Sequence, residues 1–181
     1  MNLNRFRRIQ TIVSIILFMC VFAFFYTTAG FDITKIQLSY WGSKTEYKLL
    51  WNVSLVILSV SMFFNIRYYI SSIPSLIYKK RIQTWFILVL SSLALTGIVD
   101  MTHKLHDLTA YVYFFSYPLV IFLMAFFNRH HLQFKEWRYH MVFSLSMILL
   151  PLISLNLFPG KAITEVIHII VVMFWNLWIL I

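Results

Sequence analysis

Charged residues are scarce in this chain: they make up 12% of its 181 residues, against about 25% in a typical soluble domain. Hydrophobic residues make up 61%, and the mean hydropathy is +0.80. Too few polar residues remain to cover a hydrophobic core, so the surrounding medium must be lipid. The composition therefore argues against a soluble domain and predicts one all-α, polytopic membrane domain over residues 1–181.

Cysteine and glycine are also scarce, and each scarcity excludes a class of site. The single cysteine, Cys20, excludes an intramolecular disulfide. With only four glycines, the chain contains no P-loop, GxSxG elbow or other glycine-rich phosphate cradle. It also lacks the HExxH motif of zinc proteases. No arginine ladder or mid-span acid is present, which disfavours a voltage sensor and a proton-coupled transporter.

Six apolar runs alternate with short polar connections. Because a membrane-crossing helix needs about 20 mostly apolar residues, each run predicts one span. Pro118 predicts a kink in the fourth of them. The predicted spans cover roughly residues 9–30, 49–69, 82–99, 108–127, 141–157 and 162–181.

Basic residues are concentrated in one set of connections. Those on the side of the N-terminus carry ten Lys or Arg and one acid, whereas the opposite set carries five Lys and five acids. Because basic loops stay in the cytoplasm, this asymmetry predicts a cell-membrane protein with both termini cytoplasmic. It also accounts for the net charge of +9, so no nucleic-acid partner is expected.

Three histidines lie in the basic connection before the fifth predicted span: His130, His131 and His140. Histidines at an interface among cations are expected to be solvated. A pH-sensing role is the alternative for this group, because histidine titrates near neutral pH.

Residues that could carry chemistry gather instead in the opposite connections. They are Asp100, His103, His106, Asp107, Glu165 and His168. Ionisable groups near the bilayer are costly and often mark function. If the third span continued, Asp100, His103 and His106 would share a helix face, and His168 could close the site.

This group allows two interpretations. In the first, Asp100, His103, His106 and His168 bind a catalytic Zn²⁺, and Asp100, His106 and Glu165 are the catalytic residues of a membrane-embedded hydrolase. In the second, no cofactor is bound, and these are polar side chains of a wet turn, with His168 hydrogen-bonded to a neighbouring helix. We expect the second, since the chain has no recognised zinc motif.

Three short segments on this side form a further pattern. They are Ser39-Tyr40-Trp41-Gly42 followed by Trp51-Asn52; Gly97 followed by His106–Ala110 and Phe114-Phe115; and Gly160 followed by Glu165. The pattern resembles the DUF998 family of six-span proteins and, more distantly, the DRAM-like autophagy-modulator group. The resemblance implies a six-helix bundle with a polar cluster on this side. On physical grounds we expect Gly42 to let the first loop turn tightly, His106 to hydrogen-bond that loop, and Glu165 either to cap the last helix or to pair with a nearby group.

The resemblance also implies a connection with lipid and membrane regulation. We therefore expect a non-enzymatic accessory protein that interacts with membrane lipid or regulates a partner, either a protein effector or a second copy of the chain. Its expected binding residues are Ser39, Gly42, Asn52, Asp100, His103, His106, Asp107, Glu165 and His168. The alternatives are the metal-dependent hydrolase and an oligomeric channel or solute carrier, which a wet path bounded by Asn52, Asn65 and Ser91 would favour.

Overall fold

The computed structural model describes residues 3–28, 46–99, 103–158 and 161–180. Within these ranges the chain forms six α-helices and no strand, which confirms the predicted all-helical class. The helices are α1 Leu3–Thr28, α2 Lys48–Ser72, α3 Lys79–Ile98, α4 Lys104–Phe127, α5 Phe134–Leu157 and α6 Ala162–Trp178.

Five of these six helices are long and apolar enough to cross a membrane. They contain between 20 and 26 residues. Helix α6 has 17 residues, and at 1.5 Å per residue it extends about 26 Å, slightly less than a hydrocarbon core of about 30 Å. By length and composition the bundle is that of a helical membrane protein.

Consecutive helices run antiparallel. At the start of α1, the Arg7 guanidinium lies 4.1 Å above the ring of Tyr68, near the end of α2. Towards the end of α1, the Phe25 ring centroid lies 5.8 Å from that of Trp51, near the start of α2. The same reversal recurs at each later helix pair. We call the end holding the start of α1 the basic end and the opposite one the cavity end.

Helix α6 lies at the centre of the bundle. Its Asn176 is fully buried, accepts a 2.9 Å hydrogen bond at its carbonyl from Asn65 of α2, and donates one of 2.8 Å to Tyr117 of α4. Its Trp175 stacks on Phe86 of α3, with ring centroids 6.0 Å apart. A buried polar side chain needs such partners, so this network fixes α6 against its neighbours.

Gly97 brings α3 close to α2 at the cavity end. A Cβ atom at Gly97 would lie 3.0 Å from the Cβ of Leu55 and 3.1 Å from the carbonyl oxygen of Asn52. Both distances are shorter than ordinary van der Waals contact, so a larger side chain would force the two helices apart. The absence of a side chain at Gly97 therefore sets the spacing of two walls of the cavity described below.

His140 is fully buried at the basic end, so the expectation that it is solvated is wrong. Its Nδ1 accepts a 3.0 Å hydrogen bond from the Trp175 indole, and its Nε2 lies 2.6 Å from the Tyr69 hydroxyl. Because an indole N–H can only donate, Nδ1 carries no proton and Nε2–H donates to Tyr69. His130 and His131 are exposed, as expected.

The error at His140 follows from where α5 begins. The apolar run predicts a span from about residue 141, but the helix starts at Phe134. A capping box stabilises this early start: the Glu136 carboxylate accepts a 3.1 Å hydrogen bond from the backbone N–H of Gln133. The additional turns carry His140 from the loop into the bundle.

Candidate functional site

A cavity of about 270 Å³ lies at the cavity end of the bundle, and helices α2 to α6 form its walls. Most of the lining is apolar and aromatic, including Trp51, Leu55, Leu93 and Tyr113. The polar and charged residues of the wall are Thr96, His106, Asp107, Lys161, Thr164, Glu165 and His168.

The cavity reaches the surface of the bundle between α4 and α5. Tyr111 and Phe115 of α4, and Leu152 and Leu155 of α5, belong to its wall and are exposed. Three of these side chains are apolar and the fourth is a tyrosine. We call this exposed part of the wall the side opening, and the part at the end of the bundle, where exposed Asp107 and Lys161 lie, the mouth.

His168 forms part of the inner wall and is only 1% exposed. Its Nδ1 donates a 3.0 Å hydrogen bond to the carbonyl oxygen of Met147 in α5. That carbonyl needs an outside donor because the residue four positions later is Pro151, which has no backbone N–H. The predicted hydrogen bond between His168 and a neighbouring helix is thus present.

The bond to Met147 fixes the chemistry of the His168 ring. A carbonyl can only accept, so Nδ1 carries the proton, and in the neutral ring Nε2 is left as a lone-pair acceptor. Nε2 is buried and has no hydrogen-bond partner among the described residues. The rings of Tyr113 and Phe114 pack edge-on against the imidazole, with centroids 5.6 and 4.6 Å away.

His106 repeats this arrangement at the start of α4. Helix α3 ends at Ile98, and the following residue, Val99, is extended. The carbonyl of Val99 is 3.0 Å from Nδ1 of His106, which is therefore protonated in the same way. The bond ties α3 to α4 and leaves the Nε2 lone pair of a buried cavity residue as an acceptor.

His103 has a different role. The third helix ends at Ile98, and His103 is the N-cap of α4. Its Nδ1 accepts a 3.1 Å hydrogen bond from the backbone N–H of Leu105. The side chain is exposed and does not belong to the cavity wall.

The structure brings together part of the predicted cluster. His106, Asp107, Glu165 and His168 share the cavity, and Glu165 lies in the first turn of α6, where the helix dipole favours a carboxylate. Asn52 is half-buried near the cavity but does not line it. The remaining predicted residues, Ser39, Gly42 and Asp100, lie outside the described ranges, as does the first loop that His106 is expected to hold.

The predicted zinc site is only partly described. In residues 3–28, 46–99, 103–158 and 161–180, no three His, Cys, Asp or Glu side chains are grouped so that they could hold a metal ion. Asp100 falls between these ranges, so the complete set of four predicted ligands stays a prediction. The expected path of Asn52, Asn65 and Ser91 does not follow the cavity, since none of the three lines it.

Sequence reasoning missed several cavity residues. The hydroxyls of Thr96 and Thr109 are 3.0 Å apart, and those of Ser154 and Thr164 are 2.8 Å apart, so each pair joins two adjacent helices beside the cavity. Lys161 adds a cation at the mouth. For one part of the wall a signal was available in the sequence. Pro151 predicts that the carbonyl of Met147, four residues earlier, lacks its helical donor.

No protein-family model, curated protein or solved structure shows significant similarity to the chain. The fold and site define its class: a helical membrane bundle with a ligand-sized, largely apolar cavity at one end. The likeness to the DUF998 and DRAM-like groups stays a prediction.

Proposed function

We propose that this chain is a six-span, DUF998-like protein of the cell membrane that binds the head of a membrane lipid in the cavity. On this proposal it has no enzymatic activity and acts as an accessory protein, with a protein effector or a second copy as its partner. The observation that carries the proposal is the cavity itself, with apolar walls, a side opening between α4 and α5, and polar groups at its mouth and inner wall.

The size of the cavity favours a lipid head over a whole lipid or a large solute. Typical pockets for drug-sized ligands measure about 300–1,000 Å³, and this cavity measures about 270 Å³. That volume suits a small head group with its first few carbons. The hydrocarbon chain would leave between the exposed side chains of Phe115 and Leu152, where it would meet the surrounding lipid.

The arrangement of polar groups also matches an amphiphile entering from the membrane. Asp107 and Lys161 are exposed at the mouth, where the end of the bundle meets the membrane surface. His168 is seven residues into α6 from Lys161, which at 1.5 Å per residue is about 10 Å deeper. A lipid head in the cavity would reach polar partners at both depths.

The charge distribution supports an orientation for the proposed protein. The basic end, defined by the starts of α1, α3 and α5, holds ten Lys or Arg and one acid. Under the positive-inside rule this end faces the cytoplasm, so both termini are cytoplasmic and the cavity opens towards the outer leaflet. The short α6 completes the sixth crossing in this proposal.

Photocrosslinking tests the proposed lipid site. A lipid with a photoreactive group on the carbons next to its head and a clickable chain end is irradiated with the purified protein in nanodiscs, and labelled residues are mapped by mass spectrometry. We expect labels on the cavity walls, and Ala110→Phe, which fills the cavity from its half-buried wall, should remove most of them. The matched control is Ala94→Phe, at a half-buried position outside the cavity wall, which should leave labelling intact. Labels spread evenly over the lipid-facing surface would contradict the proposal.

A metal-dependent hydrolase is the second candidate, favoured by the presence of His106 and His168 in one cavity with Asp107 and Glu165. Elemental analysis of the purified protein separates the two candidates. Stoichiometric zinc that is lost in His106→Asn would favour the hydrolase, whereas wild-type protein that stays metal-free after zinc addition and dialysis would leave lipid binding as the better account.

A further inference from the structure

We propose that the cavity selects a neutral lipid whose head carries a free hydroxyl, such as a monoacyl- or monoalkylglycerol, and that the hydroxyl donates a hydrogen bond to Nε2 of His168. The inference rests on the proposed lipid binding and adds the chemical class of the head group.

The first step of the argument is the fixed tautomer of His168. Pro151 leaves the carbonyl of Met147 without its usual helical donor, and Nδ1–H of His168 takes that place at 3.0 Å. The ring is thereby oriented by the backbone of α5 and can present only a lone pair at Nε2. A ligand group that meets this atom must be a hydrogen-bond donor.

The second step is the cost of leaving that lone pair unpaired. Nε2 is buried and without a partner in the described part of the chain, and the residue forms part of the cavity wall, so a ligand group reaches Nε2 once the side chains that cover it move aside. Buried polar groups in folded proteins are nearly always hydrogen-bonded, and an exception requires an explanation. A ligand that donates to Nε2 would recover this cost on binding, whereas one without a donor would not.

The third step concerns charged heads. Around His168 the wall includes the rings of Tyr113 and Phe114. An ammonium group buried there would need a carboxylate partner, for which the wall offers Asp107 and Glu165, in the first turns of α4 and α6. A phosphate has acceptors rather than donors at neutral pH, and the cavity already contains the carboxylates of Asp107 and Glu165. A hydroxyl satisfies both conditions, because it donates and carries no charge.

His106 provides a second acceptor of the same kind. Its Nδ1 donates to the carbonyl of Val99, so its Nε2 also has a lone pair, and it lines the same cavity nearer the mouth. Two neutral acceptors at different depths suit a glycerol head with two free hydroxyls.

The test compares matched ligands on the full-length protein in nanodiscs. A photoreactive 1-O-alkylglycerol reports on binding, and three competitors with the same chain displace it: the alkylglycerol itself, its dimethyl ether and its phosphate ester. We expect the free alkylglycerol to compete better than the ether by up to about tenfold, since one recovered hydrogen bond is worth up to about 1.5 kcal/mol. The phosphate ester should compete more weakly still.

His168→Asn isolates the role of Nε2. The amide N–H₂ of asparagine occupies the position of Nδ1–H and can still donate to Met147, but nothing replaces Nε2. The variant should bind the dimethyl ether as wild type does and lose most of the preference for the free hydroxyl. A preference that persists unchanged in His168→Asn would overturn the inference. If this variant does not fold, the wild-type comparison decides, because equal competition by hydroxyl and ether would by itself refute selection for a donor.

Failure of the two proposals looks different in this experiment. If the alkylglycerol probe labels no cavity residue and none of the three competitors reduces its labelling of the protein, the proposal of lipid binding in the cavity is wrong. If the probe labels the cavity but the hydroxyl, ether and phosphate compete equally, the cavity binds lipid and the assignment of the head group is wrong.

Discussion

His168 compensates for Pro151. The proline removes the backbone donor that would otherwise bond the carbonyl of Met147, and the imidazole from the neighbouring helix supplies a 3.0 Å hydrogen bond in its place. The relationship couples the structure of α5 to the orientation of a cavity side chain on α6. It also means that His168 has a structural role at one nitrogen, whereas the other is an acceptor without a partner among the described residues.

This coupling predicts a non-additive pair of substitutions. His168→Phe should lower the free energy of unfolding by about 1–3 kcal/mol, because it leaves the buried carbonyl of Met147 unpaired. In the Pro151→Ala background the new N–H at position 151 can bond that carbonyl, so the same histidine substitution should cost at least about 1 kcal/mol less. Denaturant unfolding of the four proteins in mixed micelles measures the difference. Equal costs in the two backgrounds would mean that the proline and the histidine act independently.

Gly97 predicts a second stability effect. Gly97→Ala should destabilise the protein by about 1–3 kcal/mol, because the added Cβ would lie 3.0 Å from the Cβ of Leu55 and 3.1 Å from the carbonyl oxygen of Asn52. Replacing glycine with alanine in a helix usually gains about 1 kcal/mol in helix propensity. We expect the steric cost to exceed this gain, because the atoms met are a backbone oxygen and a Cβ rather than the end of a flexible side chain. Thermal unfolding in detergent is the measurement.

The matched control for Gly97 is Ser91→Ala, a small substitution on the exposed face of the same helix, which should change stability little. A stable Gly97→Ala protein with unchanged lipid labelling would show that α2 and α3 can separate without consequence for the cavity.

The basic end provides a third prediction. His140→Phe should cost about 1–3 kcal/mol, since it leaves the buried indole N–H of Trp175 without an acceptor. Combining it with Trp175→Phe removes both partners, and the pair should lose less than the sum of the single substitutions. His131→Phe, in the exposed part of the neighbouring loop, serves as the control and should be close to neutral. Additive effects at positions 140 and 175 would contradict the pairing.

Hydropathy was sufficient to predict most of the fold, because crossing a bilayer imposes a length and an apolar composition that a sequence displays directly. The beginning of α5 was missed for a local reason. The capping box at Gln133 and Glu136 starts the helix before its apolar run, and a hydropathy pattern does not register that signal. His140 was consequently assigned to the loop, although it is part of the core.

The sequence could predict which residues belong to the site, but not how they are hydrogen-bonded. Imidazoles near a bilayer are rare and costly, so His106 and His168 stand out in the sequence. Their bonding cannot be predicted in the same way, because it depends on which backbone carbonyl lacks a helical donor and on the register between adjacent helices. Pro151 reveals the unpaired carbonyl of Met147, but only the packing of α6 against α5 determines that His168 reaches it.

The proposed orientation is tested by cysteine labelling, and the chain offers well-placed positions for it. Cys20, which is exposed on α1, is first replaced by serine. A single cysteine is then introduced at His103, exposed at the cavity end, or at His131, exposed at the basic end. In intact cells a membrane-impermeant maleimide should label the cysteine at position 103, because the cavity end faces outwards under the positive-inside rule. The cysteine at position 131 should react only after the membrane is permeabilised. Labelling of position 131 in intact cells would reverse the orientation and place the cavity in the cytoplasmic leaflet, and the proposed ligand would then have to be sought among the lipids of that leaflet.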